Sequence, residues 1–341
     1  MSVPDDRRLV LVVGVGRSGT SLLAGILGQL GFHIPQPEVN ADATNPRGFG
    51  EPRWVVDFHT RLLKDRRVTV NDARPAAWED TRAAEESPEV YGELREWLRA
   101  QVDQRGAVVV KDPRTVWFLP LWMRVSGDLG VPPTFVTMLR HPAETLASAR
   151  KSYGTWQTAA SRAAAWLNVS LETEHMTRDA QRVFVRYEDL LADWRREVAR
   201  TGELLDLPLL SRPAPTRAAG VDEFVDPALH RNRVGWEELE VPASVRDLAE
   251  RVWEQLQPLA SHAGDDAGAR APLDAARRDF HALYAEAESI AQSSITAVKP
   301  RRKRAAPVAP PSLRVRISRR VPARYRKRAR RALRALRGSR S

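Results

Sequence analysis

The sequence predicts an α/β fold in which a central, mostly parallel β-sheet lies between layers of helices. Three observations predict it. Short apolar runs rich in valine and leucine recur along the chain, as is typical of strands buried on both faces of a parallel sheet. Amphipathic helical patterns separate these runs, and such alternation favours parallel strands joined by right-handed crossovers. The chain has 341 residues, 43% of them hydrophobic, which suffices for one large core.

The first predicted strand is the apolar run Leu9–Val13, which ends at Gly14. A helix that begins near Ser18 and is closed by Gly31 follows it, because leucines and one isoleucine recur there at helical spacing. Three later runs also predict strands, at residues 107–110, 134–139 and 183–185.

Helical patterns and irregular segments fill the rest of the chain. Residues 32–106 form a long insertion, rich in Pro, Asn, Asp and Trp, with helical periodicity near 88–102. Insertions of this length usually carry function or form a lid. Other expected segments are helices at 159–175 and 189–201, an irregular stretch at 207–243, and helices over 244–295 with a break at 264–268.

Charge divides the chain into a body and a tail. Residues 299–341 hold 18 of the 54 Lys and Arg residues and no Asp or Glu. Residues 1–298 therefore have a net charge of −7, whereas the whole chain has a net charge of +11. We therefore expect one domain over residues 1–298 and a polybasic C-terminal tail, disordered or helical, over 299–341.

Composition excludes several classes. The chain has no cysteine, so it can form neither a disulfide, a thiolate zinc site nor a cysteine nucleophile. It also lacks an apolar stretch of about 18 residues, the length at which a transmembrane helix is read. The N-terminus carries acids and no small-residue cleavage site, so we expect a cytoplasmic protein.

A glycine-rich loop predicts a phosphate site. It reads Gly16-Arg17-Ser18-Gly19-Thr20-Ser21 between the first strand and its helix. Glycines let successive amides point inward, and the helix adds its unpaired amides and positive dipole end. The arginine and the hydroxyls add charge and donors. Because Thr20 stands where a nucleotide-triphosphate loop has lysine, the loop argues against ATP or GTP hydrolysis.

This loop and three further motifs resemble those of bacterial-type sulfotransferases that use 3′-phosphoadenosine 5′-phosphosulfate (PAPS). Arg140 and Ser148, eight residues apart, match the family's pair for the 3′-phosphate. Tyr187, in Val185–Leu190, matches a tyrosine near the adenine, and Lys111–Arg114 also occurs in bacterial members. The resemblance covers residues 8–260 and implies a P-loop-like three-layer fold, with the 5′-phosphosulfate on the glycine-rich loop.

Sulfuryl transfer needs positive charge and a general base. Catalysis would rest mainly on positioning and electrostatics, so Arg17, Lys111 and the loop amides would carry the charge and no metal would be required. We name Glu51 as base, although an exposed loop carboxylate or a partner for Arg53 explains it equally well. His59 and Asp112 are alternatives, because Pro113 stands near the position of the catalytic histidine in animal cytosolic members.

Tryptophans could stack on a sugar or aromatic acceptor, but each is more easily explained as core. The candidates are Trp54, Trp78, Trp117, Trp122 and Trp156.

The expected partners are a small-molecule or glycan acceptor and, through the 299–341 tail, the anionic inner face of the membrane. A disordered solubilising tail is an equal alternative. No recognition fold accompanies the tail, which argues against nucleic acid. The sequence carries no information on oligomeric state or on O- versus N-sulfation.

Two other functions stay open at this point. One is a P-loop kinase that acts on a small molecule. The other is a sulfotransferase-like protein that binds a glycan or an anionic surface without catalysis, since fold does not fix function.

Overall fold

The structure is a computed structural model that describes residues 7–154, 157–226, 234–261 and 264–298. Within these residues, four parallel strands form one sheet in the order β2-β1-β3-β4. They are β1 (Arg8–Val13), β2 (Ala107–Lys111), β3 (Pro133–Leu139) and β4 (Arg182–Arg186). The predicted α/β fold with a parallel central sheet is therefore confirmed.

Thirteen helices are found in the described residues. They are α1 (Thr20–Leu30), α2 (Arg53–Arg66), α3 (Ala77–Glu85), α4 (Pro88–Arg105), α5 (Leu119–Asp128), α6 (Pro142–Tyr153), α7 (Ala159–Met176), α8 (Tyr187–Ala192), α9 (Trp194–Leu204), α10 (Pro208–Ser211), α11 (Pro215–Phe224), α12 (Ala243–Ser261) and α13 (Ala267–Val298). The same part of the chain also contains two short 3-10 helices, at Pro113–Phe118 and Trp236–Glu238.

Both faces of the sheet are buried, as the uninterrupted apolar strands predict. In β1, Leu9 and Leu11 pack with α2, α4 and α5, whereas Val10 and Val12 pack with α1, α8, α9 and α11. A third apolar cluster joins Phe184 of β4 to α7, α12 and α13. The three-layer arrangement follows, because successive side chains of a strand point to opposite faces.

Two segments are more regular than the sequence analysis predicted. The insertion at 32–106 contains the whole of α2, α3 and α4, and the stretch at 207–243 contains α10 and α11. Four prolines in these segments, namely Pro52, Pro88, Pro208 and Pro215, stand at helix starts, where proline is well tolerated, instead of interrupting helices. Pro88, for example, opens α4 after Ser87, whose side chain caps that helix.

The helix predicted at 189–201 is two helices instead. Asp193 adopts an extended conformation (φ −152°) that ends α8, and its side chain accepts a hydrogen bond from the Arg196 amide at the start of α9. Aspartate is among the residues that most favour this capping position. The predicted break near 264–268 is confirmed between α12 and α13, where Gly264 has φ +78°.

The chain divides into two compact units, residues 1–287 and 288–341. The first contains the sheet, and the described residues of the second continue α13 to Val298. The predicted polybasic tail and Trp156 lie outside the described residues, so the membrane-docking hypothesis stays a prediction. No described helix has the length and apolar character needed to cross a membrane.

Replacing Asp193 by alanine is predicted to destabilise the protein by about 1 kcal/mol, because the N-cap of α9 loses its side-chain acceptor. Urea unfolding followed by circular dichroism measures the change. Asp193→Asn is the control, since asparagine caps equally well. Equal stabilities for the alanine variant and wild type would show that the cap does not separate the two helices.

Candidate active site

A cleft of about 510 Å³ lies at the carboxyl ends of the strands. The strand order changes direction between β1 and β3, the two central strands. The chain passes from β1 outward to β2 at one edge of the sheet, and from β3 outward to β4 at the other edge. Open α/β sheets bind ligands in the crevice outside the strand ends at such a point. The residues that follow all four strands contribute to the cleft lining.

The glycine-rich loop forms one wall of the cleft. Gly19 has φ +102° and precedes α1, whose first amides donate to no capping side chain. Arg17 also has a positive φ, +74°, which is strained for a residue with a side chain. Gly16, Arg17, Gly19, Thr20 and Ser21 all line the cleft. The loop therefore offers amides, hydroxyls and one guanidinium to an anion.

The predicted arginine–serine pair lies directly against this loop. Arg140 follows β3, and Ser148 is on α6. The Arg17 Nε donates to the Ser148 Oγ at 3.2 Å, and the Arg140 Nη1 donates to the Arg17 carbonyl oxygen at 3.3 Å. The two predicted phosphate-binding groups are thus close enough for one small molecule to contact both. Glu144 accepts from the Arg140 Nε at 3.0 Å and holds that guanidinium in place.

Tyr187 closes the same end of the cleft. It is the first residue of α8 after β4, and the Arg140 guanidinium lies 4.4 Å above the centre of its ring. The ring packs so closely on Gly19 that a Cβ there would overlap it. The absence of a side chain at Gly19 therefore lets the loop and the tyrosine meet.

On the other side of α1, a buried ion pair faces the cleft. Lys111 ends β2, and its Nζ lies 2.5 Å from the Glu51 Oε1 and 3.1 Å from the Ser21 Oγ. The Glu51 carbonyl oxygen accepts from the Val39 amide at 2.8 Å, which fixes the loop before α2 above the sheet edge. Glu51 is 7% exposed, so it is neither an exposed loop carboxylate nor, in this structure, a partner of Arg53.

His59 and Asp112 are fully buried and bonded to each other. The indole N–H of Trp122 donates to the His59 Nε2 at 3.0 Å. Because an indole can only donate, that nitrogen carries no proton, and the Nδ1–H donates to the Asp112 Oδ2 at 2.7 Å. The other carboxylate oxygen accepts from the Arg114 amide and Nη1. Neither His59 nor Asp112 lines the cleft, which argues against both as bases.

The pKa of Asp112 reflects this network. Burial by itself raises the pKa of the carboxyl, but the hydrogen bond from His59 and the charge and amide of Arg114 outweigh it and hold the pKa below its usual value. Asp112 is therefore a carboxylate, and it forms a salt bridge with Arg114 at the end of β2.

Ser18 is the one predicted binding residue whose side chain is turned away. Its Oγ is buried without a hydrogen-bond partner and lines a second, small cavity behind the loop. Its amide donates to the Val15 carbonyl oxygen at 3.2 Å. The other predicted residues, namely Gly16, Arg17, Gly19, Thr20, Ser21, Glu51, Lys111, Arg140, Ser148 and Tyr187, all line the main cleft.

The tryptophans are structural where the structure describes them. Trp117 and Trp122 are fully buried, Trp54 stacks on Trp97, and Trp78 stacks on Trp117. None of these lines the cleft.

The sequence analysis missed several cleft residues. Arg114, Tyr153 and Phe224 of α11 all line the cleft, and the Arg17 guanidinium lies 5.9 Å from the centre of the Tyr153 ring. Only Arg114 stood in a motif that had been noticed, next to Lys111. The described residues contain no group of three or more His, Asp and Glu side chains that could hold a metal ion.

The chain matches a known protein family over more than half of its length. A family model described as the sulfotransferase family matches residues 10–211. The sulfotransferase domain of the Synechococcus PCC 7002 olefin synthase is similar in structure, with 18% identity and a TM-score of 0.43. That match covers 75% of this chain and 98% of the domain, and no argument rests on it. A comparison with curated proteins gives no match.

Replacing Gly19 by alanine is predicted to lower the free energy of unfolding by about 1–3 kcal/mol, because a Cβ would meet Tyr187 at a positive φ. Gly16→Ala is the matched control in the same loop, since no atom lies within 4 Å of a Cβ built there. Chemical denaturation of both variants measures the difference. Equal losses at the two positions would contradict the described packing of the loop on Tyr187.

Proposed function

The chain belongs to the sulfotransferase family, and we propose that it transfers the sulfuryl group of PAPS to a hydroxyl or amine of a small-molecule or glycan acceptor. The observation that carries the proposal is the contact between the glycine-rich loop and the arginine–serine pair, through Arg17 and Ser148. PAPS carries two phosphate groups on one nucleoside, and a nucleotide of this kind requires two adjacent anion sites.

The residues of the cleft suit such a nucleotide. The uncapped amides at the start of α1 and the Thr20 and Ser21 hydroxyls would receive the 5′-phosphosulfate. Arg140 and Ser148 would bind the 3′-phosphate, and Tyr187 would contact the adenine. Ser18 would contribute through the backbone of the loop, since its hydroxyl faces away. The cleft volume of about 510 Å³ lies in the usual range for ligand sites.

When bound, PAPS supplies an activated sulfuryl group whose bond to the phosphate oxygen breaks as the bond to the acceptor forms. Arg17 and Lys111 would stabilise the negative charge that develops on the departing phosphate oxygen. Glu51 would accept the proton that the acceptor hydroxyl loses. Because Lys111 contacts both Glu51 and Ser21, it connects the proposed base to the phosphate end. No metal enters this scheme.

The Arg140→Ala variant is predicted to bind adenosine 3′,5′-bisphosphate (PAP) about 10- to 100-fold more weakly than wild type, because it loses a charged hydrogen bond to the 3′-phosphate. Its affinity for 5′-AMP, which lacks that phosphate, should change less than threefold. Isothermal titration calorimetry measures both. An equal loss for the two ligands would contradict the assigned role.

Arg150→Ala provides the matched control, because this exposed arginine lies on α6 outside the cleft.

Wild-type protein should also be protected against thermal unfolding by PAP and not by ATP with Mg²⁺. Protection by ATP alone would favour the small-molecule kinase over the sulfotransferase.

The Glu51→Gln variant is predicted to lower the maximal transfer rate by about 10²–10⁴, because glutamine cannot accept the acceptor proton. The rate is measured as PAP released from saturating PAPS. Asp42→Asn removes a second carboxylate from the same cleft and should change the rate less than threefold. If both variants lose activity equally, the loss reflects the electrostatic field of the cleft and Glu51 is not the base.

A further inference from the structure

Arg114 is fixed in the cleft by a network of buried polar groups that the proposed chemistry does not use. Its amide and its Nη1 both donate to the Asp112 Oδ1, at 3.1 and 2.7 Å. Asp112 is 0% exposed, whereas the Arg114 side chain is 26% exposed and lines the cleft. The network thus starts in the core and ends at the cleft surface.

The rest of the network extends from Asp112 into the core. His59 on α2 holds the second carboxylate oxygen, and Trp122 on α5 holds the far nitrogen of His59. The His59 ring also stacks on Phe118, with ring centres 5.1 Å apart. Both carboxylate oxygens of Asp112 and both ring nitrogens of His59 have a hydrogen-bond partner. One rotamer of Asp112, and with it one orientation of Arg114, is therefore fixed.

Stability alone is a poor reason for such a network. Well-packed apolar side chains of similar volume are often as stabilising as a buried ion pair, or more so. A network of this kind is better explained by what it positions, because preorganised groups bind with less loss of conformational entropy.

Arg114 keeps free donors for a ligand. Among the described residues, its Nε and Nη2 have no hydrogen-bond partner, and these two nitrogens form the fork that suits the paired oxygens of a carboxylate or phosphate. Glu51 is near enough to act electrostatically on the guanidinium. Arg114 and Glu51 both line the cleft, so a ligand that contacts Arg114 lies in the same cleft as the proposed base.

We propose that Arg114 forms an anion subsite in the acceptor half of the cleft, and that the acceptor carries a carboxylate, phosphate or sulfate group besides its reacting hydroxyl or amine. This inference rests on the proposed function, because the acceptor is defined as the molecule that reaches Glu51. Trp122, His59 and Asp112 are positioning residues that hold Arg114. A neutral acceptor leaves the Arg114 donors unpaired in a site from which water is displaced, which selects against it.

Arg53 is a natural comparison for Arg114. It also lines the cleft, yet no salt bridge or side-chain hydrogen bond within the described residues holds it. If the cleft attracted anions only through its overall charge, replacing either arginine would weaken anion binding to the same extent. The proposal instead requires that replacing Arg114 weakens anion binding and that replacing Arg53 weakens it little.

The binding test uses the full-length protein saturated with PAP, with inorganic phosphate as the probe followed by ³¹P NMR. Wild type should bind phosphate saturably at a site separate from PAP. Arg114→Met should weaken this binding at least tenfold, Arg114→Lys should weaken it less, and Arg53→Met should change it less than threefold. Absence of saturable binding in wild type, or equal effects of the two methionine variants, would overturn the subsite.

The PAP signals in the same spectra test the proposed function separately. If PAP itself does not bind, the sulfotransferase proposal fails; if PAP binds and phosphate does not, only the anion subsite fails. Urea unfolding of Arg114→Met establishes whether this variant is folded. If it is not, Arg114→Lys takes its place in the binding test, because lysine retains a positively charged partner for Asp112.

Acceptor pairs then identify the class of anion. Glucose 6-phosphate with 6-deoxyglucose, and 4-hydroxyphenylacetate with its amide, carry the same free hydroxyls within each pair and differ in the charged group. Arg114→Met should raise the KM of the charged member about 10- to 100-fold and leave its kcat and the neutral member nearly unchanged. A fall in kcat for both members would overturn the proposal, because Arg114 would then act on the reacting sulfuryl group.

Discussion

The charged side chains of Arg17, Arg140 and Lys111 line one cleft at the end of the parallel sheet, where the Arg140 guanidinium donates to the Arg17 carbonyl oxygen. Like charges held together repel one another, and burial strengthens the repulsion because the local dielectric constant is low. Their positions are fixed by strand order, since each follows or ends a strand of one sheet. Carboxylates offset part of the charge, through Glu144 and Glu51. A ligand with two anionic groups offsets the rest, and the proposed donor is such a ligand.

Much of this arrangement could be predicted from the sequence, because its causes are local. The strands are continuous apolar runs, and the residues that follow parallel strands meet at one edge. The eight-residue spacing of Arg140 and Ser148 needs only a strand end and two helical turns. The family of the chain was predicted from these motifs and is confirmed by the family model. The roles of individual residues are still predictions.

Other features depend on tertiary contacts that a single sequence does not display. The orientation of Ser18 follows from the packing of the loop against β3 and α7, and nothing in the motif distinguishes a hydroxyl that faces the cleft from one that faces away. The network behind Arg114 joins His59 on α2, Asp112 directly after β2 and Trp122 on α5, which lie far apart in the chain. Its histidine resembled a candidate base in the sequence, whereas in the structure both ring nitrogens are used internally.

A crystal structure of the protein with PAP would show whether one molecule contacts both anion sites. We expect the 5′-phosphate on the amides that begin α1 and the 3′-phosphate between Arg140 and Ser148, with the adenine beside Tyr187. A nucleotide found with its 3′-phosphate in solvent, or bound outside the cleft, would contradict this expectation.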